Sequence, residues 1–466
     1  MGHIAEPAMR PEWLRGEIAV VGLARSGRSV ARLLARAGER IYASDAARSP
    51  ELEATAADLA AEQVSVQLGG HDLNRIARSS LVVASPGVPP DAPPFMAARN
   101  AGVEIVSEIE IGLRFLPTLS YIAITGTNGK TTTTALVGHL LKAIGRRAST
   151  AGNIGTPLTE LALSPTPPMW VALEVSSFQL HDTPSINPRT GILTNLSANH
   201  LDRYTSVEEY FADKALLFRN AGPASHWVSN LDDDAVRAMT QDLAGVTCGF
   251  SVRERADAYY DRESGMLVVL GRPLIHRDQL SLLGDHNVAN ALAASLAVML
   301  SDPEHTTERA IQAIAAGLAS FSALEHRIET VGVFDDVTWI NDSKSTNVAS
   351  TLVALRGMTQ PTVLLLGGKH KGEPYTNLAS ELRRTGRVVI AYGEAAPLIE
   401  QDLNGVVPLR RLGSDFDEVI ATARELARPG DAVLLSPACS SYDMFDNYEQ
   451  RGRVFKQLAP GVHAER

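Results

Sequence analysis

Cysteine is nearly absent from the 466 residues: only Cys248 and Cys439 occur, far apart in the chain. That pair offers no metal-ligand spacing and suits a reducing cytosol. Apolar runs of about 18 residues are missing, so no membrane-spanning helix is expected. The opening "MGHIAEPAMRPEWLRGE" lacks the apolar centre of a signal peptide. The expected compartment is the cytoplasm, with no membrane partner. Basic residues are in deficit, 43 Lys and Arg against 53 Asp and Glu, for a formal charge of −10. A general nucleic-acid binder needs a basic face, so nucleic acid is not an expected partner, although a local basic pocket stays open. Repeats of solenoid length and low-complexity tracts are also lacking.

What is present is an ordinary soluble composition, 45% hydrophobic and 21% charged. The length is too great for one core and argues for two to four domains; a monomer is expected. Strand-like and helix-like stretches alternate, which favours an α/β class with largely parallel sheets. Three apolar strands run into glycine turns: "IAVVGLARSGRSVARLLARAG" (18–38), "YIAITGTNGKTTTT" (121–134) and "TVLLLGGKHKG" (362–372). Strand, glycine turn and helix make a nucleotide-type unit. Three such starts suggest three α/β domains, with breaks near residues 110 and 323 and hence segments 1–109, 110–323 and 324–466.

In the first unit Gly22, Ala24 and Gly27 give G-x-A-x-x-G, and Asp45 ends the next strand. This approaches the dinucleotide fingerprint, in which amides and a helix N-terminus hold a pyrophosphate. Alanine stands where the backbone must come closest, and a tight turn without ligand has the same pattern. "ASPGVPP" (84–90) is a second strand-end turn able to line the same crevice. An NAD-dependent oxidoreductase is the rival reading of this unit.

The second unit departs from the general phosphate loop. That loop has four residues between its first glycine and Gly-Lys-Ser/Thr; here only Thr127 and Asn128 separate Gly126 from Gly129-Lys130-Thr131. The chemistry is still suitable: amides and helix dipole for phosphates, Lys130 for their charge, and the Thr131 hydroxyl for Mg²⁺. Glu174 interrupts the apolar strand "WVALEVSSFQL" (170–180); a buried carboxylate needs a partner, which a metal or a salt bridge supplies. In "TNLSANHLDRYTSVEEYFADKALLF" (194–218), His200 could ligate metal or simply hydrogen-bond. Lys214 shares a helix with Phe211, Leu217 and Phe218, so it either faces the buried side or snorkels outward.

These strings, together with "AGNIGTP", "DHNVANALAA", "EHRIE", "INDSKSTN" (340–347) and "SPACSSYDMFDNYEQRG" (436–452), resemble the Mur ligases of bacterial peptidoglycan synthesis along nearly the whole chain. The short loop is that family's own variant. The resemblance implies a Rossmann-like N-terminal domain for the UDP end of the substrate, a central P-loop ATPase-like domain, and a Rossmann-like C-terminal domain that completes the ATP site and receives the amino acid. The last two strings are most similar to the branch whose substrates are UDP-N-acetylmuramoyl-L-alanine and D-glutamate.

By the same resemblance, Gly126, Thr127, Asn128, Gly129, Lys130, Thr131 and Thr132 hold ATP phosphates. Asn287 and Asn290 serve the adenine, unless they are a helix cap and a surface position; Arg327 and Asp342 reach ATP from the third domain. Two Mg²⁺ ions are implied, one on Thr131 and Glu174, the other on His200 and a carbamylated Lys214. Lys130, His200 and Lys214 are the expected catalytic residues. Asn153 and Ser176 are expected to touch substrate. Lys344, Thr346, Lys371, Ser441 and Tyr448 are expected to receive glutamate, although lysines such as Lys369 and Lys371 are commonly solvated surface charges. Ser26, Asp45, Ser85 and Gly87 are candidates for the uridine end. Other amino-acid ligases remain rivals, among them folylpolyglutamate synthetases and the diaminopimelate- or lysine-adding enzymes. The latter carry Asp-Asn-Pro-Arg, and "INPR" (186–189) matches only by chance.

Overall fold

The computed structural model describes residues 16–153, 155–197, 204–282, 284–322 and 325–461. Three separate sheets organise them. The first holds β1 (Glu17–Val21), β2 (Arg40–Asp45), β3 (Ser65–Leu68), β4 (Leu81–Ala84) and β5 (Ile105–Ser107), all parallel in the order β3-β2-β1-β4-β5. The buried apolar runs of β1 and β4 fit strands covered on both faces. The helix Arg25–Arg36 packs Val30, Leu33 and Leu34 onto the β1 side. Gly27 permits that approach, because a Cβ there would overlap the Gly22 carbonyl.

The second sheet begins with β6 (Ser120–Thr125), β7 (Ala148–Gly152), β8 (Trp170–Glu174) and β9 (Thr190–Leu193). It continues with β10 (His226–Asn230), β11 (Val246–Ser251), β12 (Ala258–Asp261), β13 (Met266–Val269) and β14 (Arg272–His276). The order is β14-β13-β12-β11-β10-β9-β6-β8-β7, parallel from β7 to β12 and antiparallel at β12–β13. From β6 the chain passes one way along the sheet to β7, and from β9 the other way to β10. The carboxyl ends of the adjacent strands β6 and β9 therefore form a topological switch point, where open α/β sheets bind ligands. In the first sheet β1 and β4 are related in the same way. The second glycine turn opens the helix Lys130–Ala143 as its sequence predicts, and β9 ends at Leu193.

The third sheet has β15 (Glu329–Phe334), β16 (Val337–Asn341), β17 (Thr362–Gly367), β18 (Gly386–Tyr392), β19 (Leu409–Arg411) and β20 (Ala432–Leu435), in the order β15-β16-β20-β17-β18-β19. Only β15 runs antiparallel to its neighbour. The third glycine turn differs from expectation: no helix follows it directly. Lys369 instead bridges to Ser440, and a 3₁₀ turn, Tyr375–Leu378, precedes the helix Ala379–Thr385. The chain groups into two compact units, residues 1–274 with 290–318, and residues 275–289 with 319–466. Among the described residues no helix is long and apolar enough to cross a membrane.

Candidate active site

The phosphate-loop candidate sits where β6 ends. Gly126 has φ 143° and Gly129 φ 81°, and Gly129 caps the helix Lys130–Ala143 without a side chain. Lys130 folds back, donating through Nζ to the carbonyls of Gly126 and Thr127, each at 2.9 Å. Lys214 Nζ donates to the same Gly126 carbonyl at 2.8 Å. Lys214 lies on the helix Val207–Ala215, whose N-cap Ser206 accepts from Glu209 N–H, and it is only 1% exposed. Burial, reinforced by the Lys130 charge, pushes its ammonium well below the ordinary lysine range; Glu174 and Asp213 pull the other way.

Glu174 ends β8 beside the loop. Its Oε1 accepts from Asn153 Nδ2 at 2.9 Å, while Oε2 is buried without a hydrogen-bond partner among the described residues. A carboxylate oxygen left in that state is a fit for a cation. Thr131 is also buried, in the first turn of the loop helix. His200 falls outside the described residues, and among those described no three His, Cys, Asp or Glu side chains form a metal cage.

Ser176 is committed to structure: it forms a capping box with Gln179 at the start of the helix Ser177–His181. Asn290 is buried rather than a surface position, and its Oδ1 accepts from Thr133 Oγ at 3.2 Å. Asn287 is likewise buried, inside the first turn of the helix Asp285–Ser301 rather than at its cap.

In the first sheet the Asp45 carboxylate accepts from Leu23 N–H at 2.8 Å and Ala47 N–H at 2.9 Å, so it shapes the glycine turn. Ser26 is half-buried in the helix that follows, Ser85 is buried, and Gly87 is exposed. Ser85 and Pro86 line a cavity of about 320 Å³ together with Phe178, Gln179 and Tyr204 of the second sheet's helices and loops. Phe178 and Tyr204 stack there at 5.1 Å.

In the second compact unit, the adjacent strands β16, β20 and β17 end beside one another and carry the proposed glutamate residues. Lys371 Nζ donates to Thr346 Oγ at 3.1 Å, and Lys344 Nζ lies 5.2 Å from the Tyr448 ring centre. Ser441 is buried and Lys371 exposed. Asp342 is buried, accepting from Ser436 Oγ at 2.7 Å; burial raises its carboxyl to about 6, against its hydrogen bonds with Ser345 and Ser436 and the charge of Arg327.

Two residues escaped the sequence reading. Asn195, just past β9, pairs with the main chain of Asn128. Arg451 is fully buried and donates to the carbonyls of Ser343 and Cys439, at 2.8 Å and 3.2 Å, bracing the ends of β16 and β20. The only sequence signal for either was a polar residue inside a quoted string.

Parallel sheets with glycine turns at strand ends, a strand-end carboxylate oxygen with no partner among the described residues and a buried lysine define an α/β enzyme of nucleotide-binding type. Residues 16–107 match "Mur ligase MurD-like, N-terminal domain", residues 124–298 "Mur ligase middle domain", and residues 326–439 "Mur ligase, glutamate ligase domain". The chain belongs to the Mur ligase family. It is 39% identical over 465 residues to the UDP-N-acetylmuramoylalanine–D-glutamate ligase of Salinibacter ruber, covering 97% of this chain and 99% of that one. To the ligase of the same name from Anaeromyxobacter dehalogenans it is 41% identical over 466 residues, covering 96% and 98%. Its fold is similar to that of the MurF ligase from Thermotoga maritima, a structure in complex with ADP, with TM-score 0.61 at 16% identity, over 91% of this chain and 94% of that one.

Proposed function

We propose that this chain joins D-glutamate to UDP-N-acetylmuramoyl-L-alanine in peptidoglycan precursor synthesis, at the expense of ATP. The observation that carries this reading is the likeness of 39% and 41%, over nearly the full length, to two ligases of that name. The L-alanine carboxylate attacks the γ-phosphorus, the bond to the bridging oxygen breaks, and ADP leaves behind an acyl phosphate. The D-glutamate amine then attacks the acyl carbon. The tetrahedral adduct loses phosphate and the amine's proton, leaving the amide. Such chemistry among anions rests on positioning and charge neutralisation.

Lys130 and the N-terminus of its helix hold the phosphates, with the glycines on either side of Thr127 and Asn128 setting the turn. Two Mg²⁺ ions, held by Thr131 and Glu174 and by His200 and Lys214, would neutralise the phosphate oxygens when bound. The buried oxygen of Glu174, without a partner among the described residues, supports the first of these. Lys214 serves as a carbamate: its neutral amine attacks CO₂ and loses a proton, turning a buried cation into an anion. Its depressed basicity supports that step. Asn153 orients the Glu174 carboxylate and substrate, and Asn290 lies against the loop on the adenine side. Lys344, Thr346, Lys371, Ser441 and Tyr448 receive the two glutamate carboxylates. The turn at Ser26, Asp45, Ser85 and Gly87 takes the uridine end. We also propose that the protein is a cytoplasmic monomer. The deciding experiment measures ADP and phosphate release from purified protein. Release is expected only when both UDP-N-acetylmuramoyl-L-alanine and D-glutamate are present; release that neither compound raises would sink the reading.

A further inference from the structure

The two residues between the loop glycines have their main chain committed to the neighbouring strand end. Thr127 N–H donates to the Asn195 carbonyl at 2.8 Å, and Asn128 N–H to Asn195 Oδ1 at 2.8 Å. The Asn128 carbonyl accepts from Asn195 Nδ2 at 2.9 Å and from Thr194 Oγ at 2.7 Å. A side-chain amide that both donates to and accepts from one residue's main chain imitates strand pairing and fixes the peptide at two points. Thr127 Oγ adds a third tie, accepting from Ser197 N–H at 3.0 Å.

Asn195 is itself held. Leu196 N–H donates to Asp233 Oδ2 at 2.8 Å, and Asn230 Nδ2 donates to the Thr194 carbonyl at 2.7 Å. The segment is thereby anchored to β10 and to the N-cap of the helix Asp234–Thr240. β6 and β9 are adjacent in register, Ile124 beside Ile192 and Thr125 beside Leu193, so the rigid sheet sets the distance across which the clamp acts. With Thr127 and Asn128 turned toward β9, Gly129 enters its left-handed conformation and starts the helix. The first N–H groups of any helix have no partner within it, and a helix N-terminus suits an anion.

We infer that Asn195 is a positioning residue for nucleotide: it holds Thr127 and Asn128 so that the helix N-terminus, Lys130 and Thr131 meet the phosphates. Asn195 acts through the loop and does not touch the reacting atoms. The inference rests on the reading of this loop as the ATP site. The test compares wild type with Asn195→Ala by titrating ADP with Mg²⁺ and, separately, UDP-N-acetylmuramoyl-L-alanine. Loss of two part-buried hydrogen bonds is expected to raise Kd for ADP and KM for ATP about tenfold. The UDP compound is expected to bind within about twofold of wild type, a shift under 0.5 kcal/mol, and kcat at saturating ATP to fall less than kcat/KM. Thr194→Val, which removes the second donor to the same carbonyl, gives a smaller rise of the same kind and carries the test if Asn195→Ala does not fold. Unchanged ADP binding, or equal loss of both ligands, overturns the inference and leaves the ATP reading standing. Wild-type protein that binds the UDP compound but not ADP overturns both.

Discussion

Lys214 donates to a carbonyl rather than to a carboxylate, and burial disfavours its ammonium form. If the residue works as a carbamate, Lys214→Ala loses turnover by roughly a hundredfold or more, as removing one preorganised charge from an active site does. Short carboxylic acids then restore part of the rate by occupying the vacated space. Full activity without added acid would remove the residue from the mechanism. Glu108 illustrates a different use of burial. It opens the helix Glu108–Phe115, and its Oε1 accepts from Thr159 N–H at 2.6 Å and Thr159 Oγ at 2.7 Å, while Oε2 is buried with no partner among the described residues. Burial lifts its carboxyl from 4.5 to about 7, with the Thr159 hydrogen bonds opposing and the Glu160 charge assisting. The folded chain therefore keeps, between those values, a proton that the unfolded chain has lost. The stabilisation is complete below about pH 4.5 and is lost as pH rises through about 7. Melting curves of wild type against Glu108→Gln across that window are expected to shift in the variant's favour with rising pH, by on the order of 3 kcal/mol in all. A gap that stays constant with pH would contradict the assignment.

The loop joining β6 to its helix depends on main-chain freedom at its two glycines. Gly126 has φ 143°, and a Cβ on it would collide with Thr194 Oγ. Gly126→Ala is expected to cost about 1–3 kcal/mol, read as a lower melting temperature together with a raised KM for ATP; an unchanged KM would mean the loop shape is immaterial. Much of this element was legible in the sequence, because strand, glycine and helix signals are local. Glu174 stood out by interrupting an apolar strand, and Lys214 by sharing a face with apolar neighbours. Asn195 did not stand out, since a polar residue after a strand resembles any turn and its partner lies 67 positions away. Arg451 was hidden for the same reason: its acceptor Ser343 is 108 positions distant. The third glycine turn misled because its geometry serves a different neighbour. Gly367 and Gly368 pass so close to the carbonyls of Tyr392 and Ser440 that a Cβ would not fit, and the chain pairs with Ser440 instead of coiling into a helix.

Across the whole molecule, three parallel or mostly parallel sheets repeat one solution, with glycine turns at strand carboxyl ends. Repetition of architecture does not repeat chemistry. The first turn keeps alanine at the middle position of its motif, and its acidic residue accepts from the turn's Leu23 amide and from the Ala47 amide just past its own strand. Equilibrium titration with NAD(H) is accordingly expected to give no binding, and a measurable affinity would revive the oxidoreductase reading. On the proposed reading, amino-acid choice falls to the sheet whose strand ends carry Lys344, Thr346, Lys371 and Ser441. Exchanging D-glutamate for L-glutamate, L-lysine or diaminopimelate in the turnover assay is expected to abolish release of ADP, and turnover with any of them at the D-glutamate rate would reassign the chain within its family. The clamp on Thr127 and Asn128 also bears on protein engineering. A compact strand-to-helix loop of this kind is one half of a matched pair, the other half being the residues that follow β9. Grafted alone onto another parallel sheet, or lengthened to the commoner spacing, it would arrive without the amide that shapes it. Transplantation would have to carry both strand ends together.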